Sequence, residues 1–475
     1  MVFSSLPFLF GYLVVTLAVY FAVPVKWRNL VLLMTSLFFY GWGEPVYVVI
    51  MIVSILIDYT HGMLVEKYRH NDRLAKWFVA ESMIFNLALL GFFKYWDFFA
   101  DNLFLLTGLS LPEQMTLLGR TVSLRNIPLP IGISFFTFQT MSYTVDVYRK
   151  DAHVQRNIIS FGAYVTMFPQ LIAGPIVKFK TVAEELNDRV HSTENFALGA
   201  RRFTVGLAKK VLLANAIGAL WDAQLSALGS GTLTVLGGWL GLVAYAFQIY
   251  FDFSGYSDMA IGLGWILGFH FDENFNYPYT ADSVNDFWRR WHMSMTSWFR
   301  EYLYFSLGGS RVGTVKTLRN LLIVWICTGF WHGASWNFLL WGLYYAFWQI
   351  FEKYFLLKHL RKLPAWLRHV YTLLVVLVGW GIFAIEDLGA CGAYLATCFG
   401  GGALWSAGDL YYLGSYAVTL LVLAVASTTL GVRTWKKLPE KVQQIATPVL
   451  MLMALVLCTA YLVDGSYNPF LYFRF

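Results

Sequence analysis

The sequence predicts an all-α integral membrane protein that crosses the bilayer roughly ten to twelve times, and three observations carry that prediction. Of its 475 residues, 58% are hydrophobic and only 13% are Asp, Glu, Lys or Arg, where a soluble domain carries roughly 25% charge. Aromatic residues reach 18%, with 19 Trp, 28 Tyr and 40 Phe. Charge-free stretches recur along the whole sequence. A water-facing surface needs more charge than this, which excludes a disordered chain, a nucleic-acid-binding domain and nearly any soluble enzyme. The net charge of +7 then reads as Lys and Arg in cytoplasmic loops, not as a nucleic-acid footprint.

The elements follow in order. Met1–Val25 has no charge before Lys26; a cleavable signal starts with a basic segment, so this is read as a retained span that begins outside the cytoplasm. Asn29–Gly43 and Pro45–Ile57 fall short of the roughly 20 residues a crossing needs and read as a hairpin that enters and turns back. Ser82–Phe93, Asn126–Val145 and Asn157–Val177 come next. Lys178–Lys210, with Glu184, Glu185 and Asp188, reads as a surface helix and loop. Val211–Trp221 and Ala223–Tyr250 follow, and Val370–Ile385, Leu410–Val432 and Val442–Val463 close the set.

Between them, Asn320–Phe351 is free of charge. As one helix it would run about 48 Å at about 1.5 Å per residue, against a hydrocarbon core of roughly 30 Å. A break is expected at Trp331-His332-Gly333-Ala334. Basic clusters at Lys26 and Arg28, Lys67–Lys76, Arg289–Arg319, Lys353–Arg368 and Arg433–Lys441 are placed in the cytoplasm. No soluble domain or repeat interrupts the chain, so residues 1–475 are read as a single polytopic domain. Cys327, Cys391, Cys398 and Cys458 show neither a disulfide framework nor zinc spacing, and no metal is expected. Gly262–Gly268 reads as close helix packing, since no strand precedes it to make a phosphate cradle.

Ionisable residues at membrane depth are costly and become functional candidates. His332 is the sharpest, set in ICTGFWHGASWNFLLWG at the expected break. A buried imidazole is biased to its neutral, basic form; the plainer reading is a core histidine bonded to a helix carbonyl. His292 lies in NDFWRRWHMSMTSWFREYLYFSLGG, which mixes Trp288, Trp291 and Trp298 with Arg289, Arg290 and Arg300. That mixture suits a helix lying flat at the interface, or a basic, aromatic funnel for an anionic cytoplasmic ligand. Asp252 and Asp258 lie about 120° apart on a helix, which argues against a catalytic pair. They fit ion pairs with the arginines of the interfacial helix, or a cation site. No GxSxG elbow and no Walker A motif is present, so a serine hydrolase or nucleotide-driven pump has no support.

These pieces resemble the membrane-bound O-acyltransferase family. The residues that carry the resemblance are MVFSSLPFLF at the start, Leu129–Arg149, Phe168–Phe179, YFDFSGYSDMAIGLG from Tyr250, Asn274–His292, Tyr302–Arg311 and Gly329–Gly342. More narrowly, they resemble its bacterial branch that acetylates cell-surface polymers such as alginate. The resemblance implies transmembrane helices with re-entrant and interfacial pieces around a central channel in a bacterial inner membrane. It implies His332 as the catalytic histidine and His292 as the second family histidine. It also implies acyl transfer from a cytoplasmic thioester, acetyl-CoA, toward an exported polysaccharide, completed by an extracytoplasmic SGNH-type acetyltransferase or a polymer-modification complex. Membrane lipids are the other expected partner.

The residues fit that chemistry independently. Acyl transfer needs a base for the acceptor hydroxyl and a donor for the oxyanion. His332 suits the first. Trp331, Trp336 and Asn337 are candidates for the second, and Arg289, Arg290 and Arg300 suit the donor's phosphates. D-alanyl transfer to teichoic acid and peptidoglycan or cellulose O-acetylation are alternatives. A transporter centred on Asp252 and Asp258, or a non-catalytic scaffold, are the readings outside enzymology.

Overall fold

The computed structural model describes residues 2–117, 120–465 and 470–471. Its long helices are α1 (Pro7–Ala22), α2 (Arg28–Gly43), α3 (Tyr47–Lys67), α4 (Asp72–Thr107), α5 (Ile133–Arg149), α6 (Ile158–Thr166), α7 (Thr193–Gly229) and α8 (Val235–Leu267). Two short helices, α9 (Val284–Arg290) and α10 (Met293–Trp298), lead to α11 (Thr314–His332), α12 (Trp336–Phe351), α13 (Ala365–Ala384), α14 (Leu388–Cys398), α15 (Ala407–Ala426) and α16 (Glu440–Asp464). An antiparallel hairpin, Gln114–Leu117 with Arg120–Ser123, is the one sheet among the described residues. The all-helical membrane class is as the composition requires.

Seven helices among the described residues are long and apolar enough to cross a membrane: α3, α4, α7, α8, α13, α15 and α16. The expected ten to twelve is higher because several charge-free stretches fold as helices too short or too polar to qualify. α2 and α12, for example, have 16 residues each, about 24 Å of helix at about 1.5 Å per residue. Pro45–Ile57 errs the other way: the helix runs on through Asp58 to Lys67.

The chain forms two compact units, one of Pro7–His191 with Gly268–Phe271, the other of Val2–Leu6, Ser192–Leu267 and Asp272–Phe475. In the first, α3, α4 and α5 enclose Asp58, which is fully buried. Its carboxylate accepts from Ser82 Oγ (2.6 Å) and Asn86 Nδ2 (3.0 and 2.9 Å). A buried charge is tolerable only with such donors, so here a charged residue marks the middle of a helix rather than its end.

In the second unit, α7 and α8 pack closely. A Cβ at Gly199 or Gly206 would lie 2.5 Å from the Gly262 or Gly255 carbonyl oxygen. This is the close packing expected of the Gly262 segment. The reading of Lys178–Lys210 as surface is corrected: Thr193–Ala208 is the first part of the 37-residue helix α7. A wide π turn, Lys209–Ala214, interrupts α7. Its first two residues pair with α8: Lys209 Nζ with Asp258 (2.7 Å) and Lys210 Nζ with Asp252. Adjacent helical residues point about 100° apart, and residues six apart about 120°, so two successive lysines match the two aspartates. Arg202 adds a second contact to Asp258 at 3.0 Å. The aspartates therefore do not pair with the arginines around His292, and both are neutralised within the α7–α8 pair.

Candidate active site

The site lies in the second unit. α11 ends on His332, Gly333 is extended, and Ser335 precedes α12. A Cβ at Gly329 would clash with the Phe338 carbonyl, and one at Gly342 with that of Trp325. Pairing 329 with 338 and 342 with 325 means the helices run antiparallel about the break. The expected bend at Trp331–Ala334 is therefore present. Two glycines permit it, because a side chain at either would force the helices apart.

The bend buries His332 to 6% exposure. Its ring centroid lies 5.0 Å from Trp331, 5.0 Å from Trp341 and 5.2 Å from Phe383. A chamber of about 20 Å³ touches it, lined also by Asp252, Trp291, Trp380 and Leu471. That is room for about one water-sized group. The Leu471 N–H donates to Asp252 Oδ2 (2.9 Å), and Lys210 Nζ lies 4.8 Å from the Phe470 ring centroid. A segment more than 130 positions from His332 thus helps line its chamber.

His292 is fully buried and shares the Trp331 ring with His332, at 5.9 Å between centroids. It links α9 to α10 in the left-handed region, φ 44° and ψ 53°, a conformation costing a residue with a Cβ about 1–2 kcal/mol. Asn274 holds the turn. Its carbonyl accepts from Met293 N (2.9 Å), and its Oδ1 accepts from Ser294 N (3.2 Å) and Ser294 Oγ (2.9 Å). Its Nδ2 donates to Ser257 Oγ (2.9 Å). Because Oδ1 already accepts a backbone N–H, the 3.0 Å contact with His292 Nδ1 requires Nδ1 to donate. His292 is then the Nδ1–H tautomer. Its Nε2 lone pair is buried without a hydrogen-bond partner among the described residues. Burial also lowers the pKa of this imidazole, keeping it neutral.

The tryptophans around His292 do not lie in lipid as an interfacial helix would place them. Trp288, Trp291 and Trp298 are 3%, 3% and 5% exposed. The arginines do gather. Arg289, Arg290 and Arg300 line one vestibule of about 1290 Å³ together with Lys353, Arg361 and Arg368. Two carboxylates also line it, Asp282 bound to Arg368 (2.9 Å) and Asp286 bound to Arg290 (2.9 Å). Six cations against two anions leave the vestibule net positive, with Arg289 and Arg300 exposed. Trp288 and Trp325 line it as well, and their centroids lie 5.5 and 6.0 Å from Trp341 of the histidine chamber. A layer of indole rings thus separates the cationic vestibule from His332.

Two of the three oxyanion candidates do not fit. Trp336 is 51% exposed. Asn337 Nδ2 is committed to the Ile382 and Phe383 carbonyls, both at 3.2 Å. Trp331 stays in place between the histidines. Trp341 was missed because its spacing on α12 resembles ordinary core packing. Its Nε1–H is buried without an acceptor among the described residues. Asn274 and Glu352 were missed too. Glu352 accepts from Val284 N (2.6 Å), Asn285 N (3.0 Å) and Asn285 Nδ2 (2.8 Å), capping α9 from 67 residues away. No sequence signal marks such a long-range cap. Among the described residues no group of three His, Cys, Asp or Glu could hold a metal.

Comparison with known proteins agrees with this architecture. The MBOAT, membrane-bound O-acyltransferase family profile matches residues 51–388, a span that contains both histidines. A protein from Azotobacter vinelandii named as a probable alginate O-acetylase is 36% identical over the whole of both chains. A peptidoglycan O-acetyltransferase from Helicobacter pylori is 35% identical over 72% of this chain and 68% of its own. A teichoic acid D-alanyltransferase from Bacillus subtilis is 27% identical over 47% of this chain and 60% of its own. With the apolar helices crossing a membrane several times and the family match spanning most of their length, this chain belongs to the membrane-bound O-acyltransferase family and is a multi-pass membrane O-acyltransferase.

Proposed function

We propose that the chain moves an acetyl group from acetyl-CoA, bound on the cytoplasmic side of a bacterial inner membrane, for O-acetylation of an exported polysaccharide such as alginate. The observation that carries this reading is the net-positive vestibule set against the His332 chamber, with indole rings between them. Phosphates of the donor rest against Arg289, Arg290 and Arg300, whose planar forks suit them. The thioester arm passes the indoles toward His332. His332 takes the proton of the acceptor hydroxyl, its oxygen attacks the thioester carbonyl, and the carbon–sulfur bond breaks to release the thiol. The Trp341 Nε1–H supplies an oxyanion donor. His292 keeps a basic Nε2 beside Trp331 as the second histidine of the site.

The whole chain acts as one acyltransferase domain in this reading. It delivers to an extracytoplasmic SGNH-type acetyltransferase or polymer-modification complex. The names of the Azotobacter and Helicobacter relatives support acetyl as the group and leave alginate and peptidoglycan as competing acceptors. The Bacillus relative's name keeps D-alanine as the alternative group.

Purified protein in nanodiscs with radiolabelled acetyl-CoA tests the donor and the base together, with the outer-face partner added as acceptor. His332→Ala is expected to fold and to lose label transfer by at least about 10²-fold. Undiminished transfer by that variant removes His332 from the mechanism. Transfer from a carrier-linked aminoacyl thioester, with none from acetyl-CoA, overturns the donor and leaves the family chemistry intact.

A further inference from the structure

In the first unit, far along the chain from either histidine, two arginines share one tyrosine ring. The Arg28 guanidinium lies 5.2 Å from the Tyr20 ring centroid and Arg189 lies 5.9 Å from it. Each has a second ring, Phe21 at 5.6 Å for Arg28 and Phe269 at 4.6 Å for Arg189. Arg28 Nη1 donates to His191 Nδ1 (2.9 Å), and Tyr20 Oη meets His191 Nε2 (3.0 Å). Arg189 Nη2 donates to Asn29 Oδ1 (2.5 Å), and Asn29 is anchored in turn on Ser160 Oγ and the Leu186 carbonyl, both at 2.8 Å.

Rings, the His191 imidazole and the Asn29 amide oxygen hold these arginines, and no ion pair joins either to a carboxylate among the described residues. Asp188 precedes Arg189 directly and is exposed, and Glu185 is engaged by His270 through Nδ1 (2.6 Å) and the backbone N–H (3.0 Å). Arg189 is 91% buried, with 9% of its surface exposed. Arg28 Nε and Arg189 Nη1 are both buried with no hydrogen-bond partner among the described residues. A guanidinium stays charged, and a buried charge without a counter-ion is costly. Burial lowers the pKa of Arg189, and the neighbouring Arg28 charge adds to this against the opposing effects of Tyr20 and Glu185.

The surroundings indicate where the anion comes from. The cluster sits where α1 gives way to α2. Trp27 is 49%, Val25 56% and Phe21 38% exposed there, beside Lys26. Exposed aromatics next to basic residues mark the boundary between lipid tails and headgroups. We propose that Arg28 and Arg189 form a binding site for a phosphate group at that boundary, belonging to an anionic phospholipid headgroup or to free phosphate. The free Nε and Nη1 hydrogens complete the oxyanion's hydrogen bonds, and the Tyr20, Phe21 and Phe269 rings hold the two forks in place. The site lies outside the acyl-transfer reading and does not depend on it.

The full chain is reconstituted in nanodiscs of phosphatidylcholine, with or without phosphatidylglycerol, and its thermal midpoint is measured. Inorganic phosphate is titrated separately into the phosphatidylcholine discs. A midpoint raised by phosphatidylglycerol alone identifies a lipid headgroup, and one raised by phosphate identifies the free anion. Either shift is expected to require about tenfold more anion in Arg189→Gln and in Arg28→Gln, and to persist in Lys26→Gln, which removes an exposed charge from the same boundary. Arg28 is half-buried, so its variant keeps the test open if Arg189→Gln fails to fold. No anion-dependent shift in the parent chain overturns the site. So does a shift that the arginine variants and Lys26→Gln lose equally.

Discussion

At His332 the imidazole has tryptophan and phenylalanine rings around it, and Asp252 lines the same chamber. Trp341→Phe keeps the ring and removes the N–H. A fall in kcat of about 10²–10³-fold is expected if that N–H meets the oxyanion, read from label transfer at saturating donor with donor binding unchanged. Equal losses in binding and kcat would place Trp341 in ordinary packing. Asn274→Ala removes the acceptor that commits His292 Nδ1 to donating. The variant is expected to lower kcat by about tenfold or more and stability by about 1–3 kcal/mol, the usual cost of orphaned buried donors. ¹⁵N-histidine spectra provide the separate readout: the Nδ1–H signature of His292 should be lost. His332 stood out in the sequence as a histidine between apolar runs, and His292 as one set among tryptophans and arginines in a segment that carries the family resemblance. Asn274 and Trp341 did not, because an asparagine in a loop and a tryptophan in an aromatic helix look ordinary until their partners are known.

Individual elements show how the chain holds short helices at depth. α9 has seven residues, too short to be stable alone, yet it carries Arg289 and Arg290 into the vestibule and leads into His292. Ser283 caps it locally, accepting from Asp286 N at 3.1 Å, and Glu352 accepts its first two backbone N–H groups. Glu352→Gln swaps a charged acceptor for an amide and turns one oxygen into a donor facing donors. It is expected to cost about 1–3 kcal/mol, seen as a lower thermal midpoint and a raised KM for the donor; an unchanged midpoint would mean Ser283 suffices. The α11–α12 bend was readable from length, since the charge-free run was too long for the bilayer. The extents of α3 and α7 were not, because paired charges such as Asp58 and Lys209 lie inside them and imitate helix ends.

For the whole molecule, the placement of charge separates enzyme from transporter. Asp252 and Asp258 are neutralised by Lys210, Lys209 and Arg202, whereas the vestibule holds six cations against two anions. The double variant Arg289→Gln, Arg300→Gln is expected to raise the KM for acetyl-CoA by about tenfold with kcat nearly constant, because the arginines contact a part of the donor that does not react. Raising ionic strength should narrow the difference from the parent chain, since both side chains are exposed and screened by salt. A loss confined to kcat would move these arginines out of donor binding.

The sequence by itself determined the membrane class, the family and the bend at His332, and it marked two histidines as candidates. Those follow from composition, from length against bilayer thickness and from motifs that sit close together in the chain. Only the tertiary structure decided which charges cancel, that the Trp341 N–H lacks an acceptor among the described residues, and that Asn274, Glu352 and Leu471 belong with residues far from them in the chain. Each of those depends on which helix faces which. In lipid that facing is set by close glycine contacts and buried ion pairs, and a single segment does not name the partner of either.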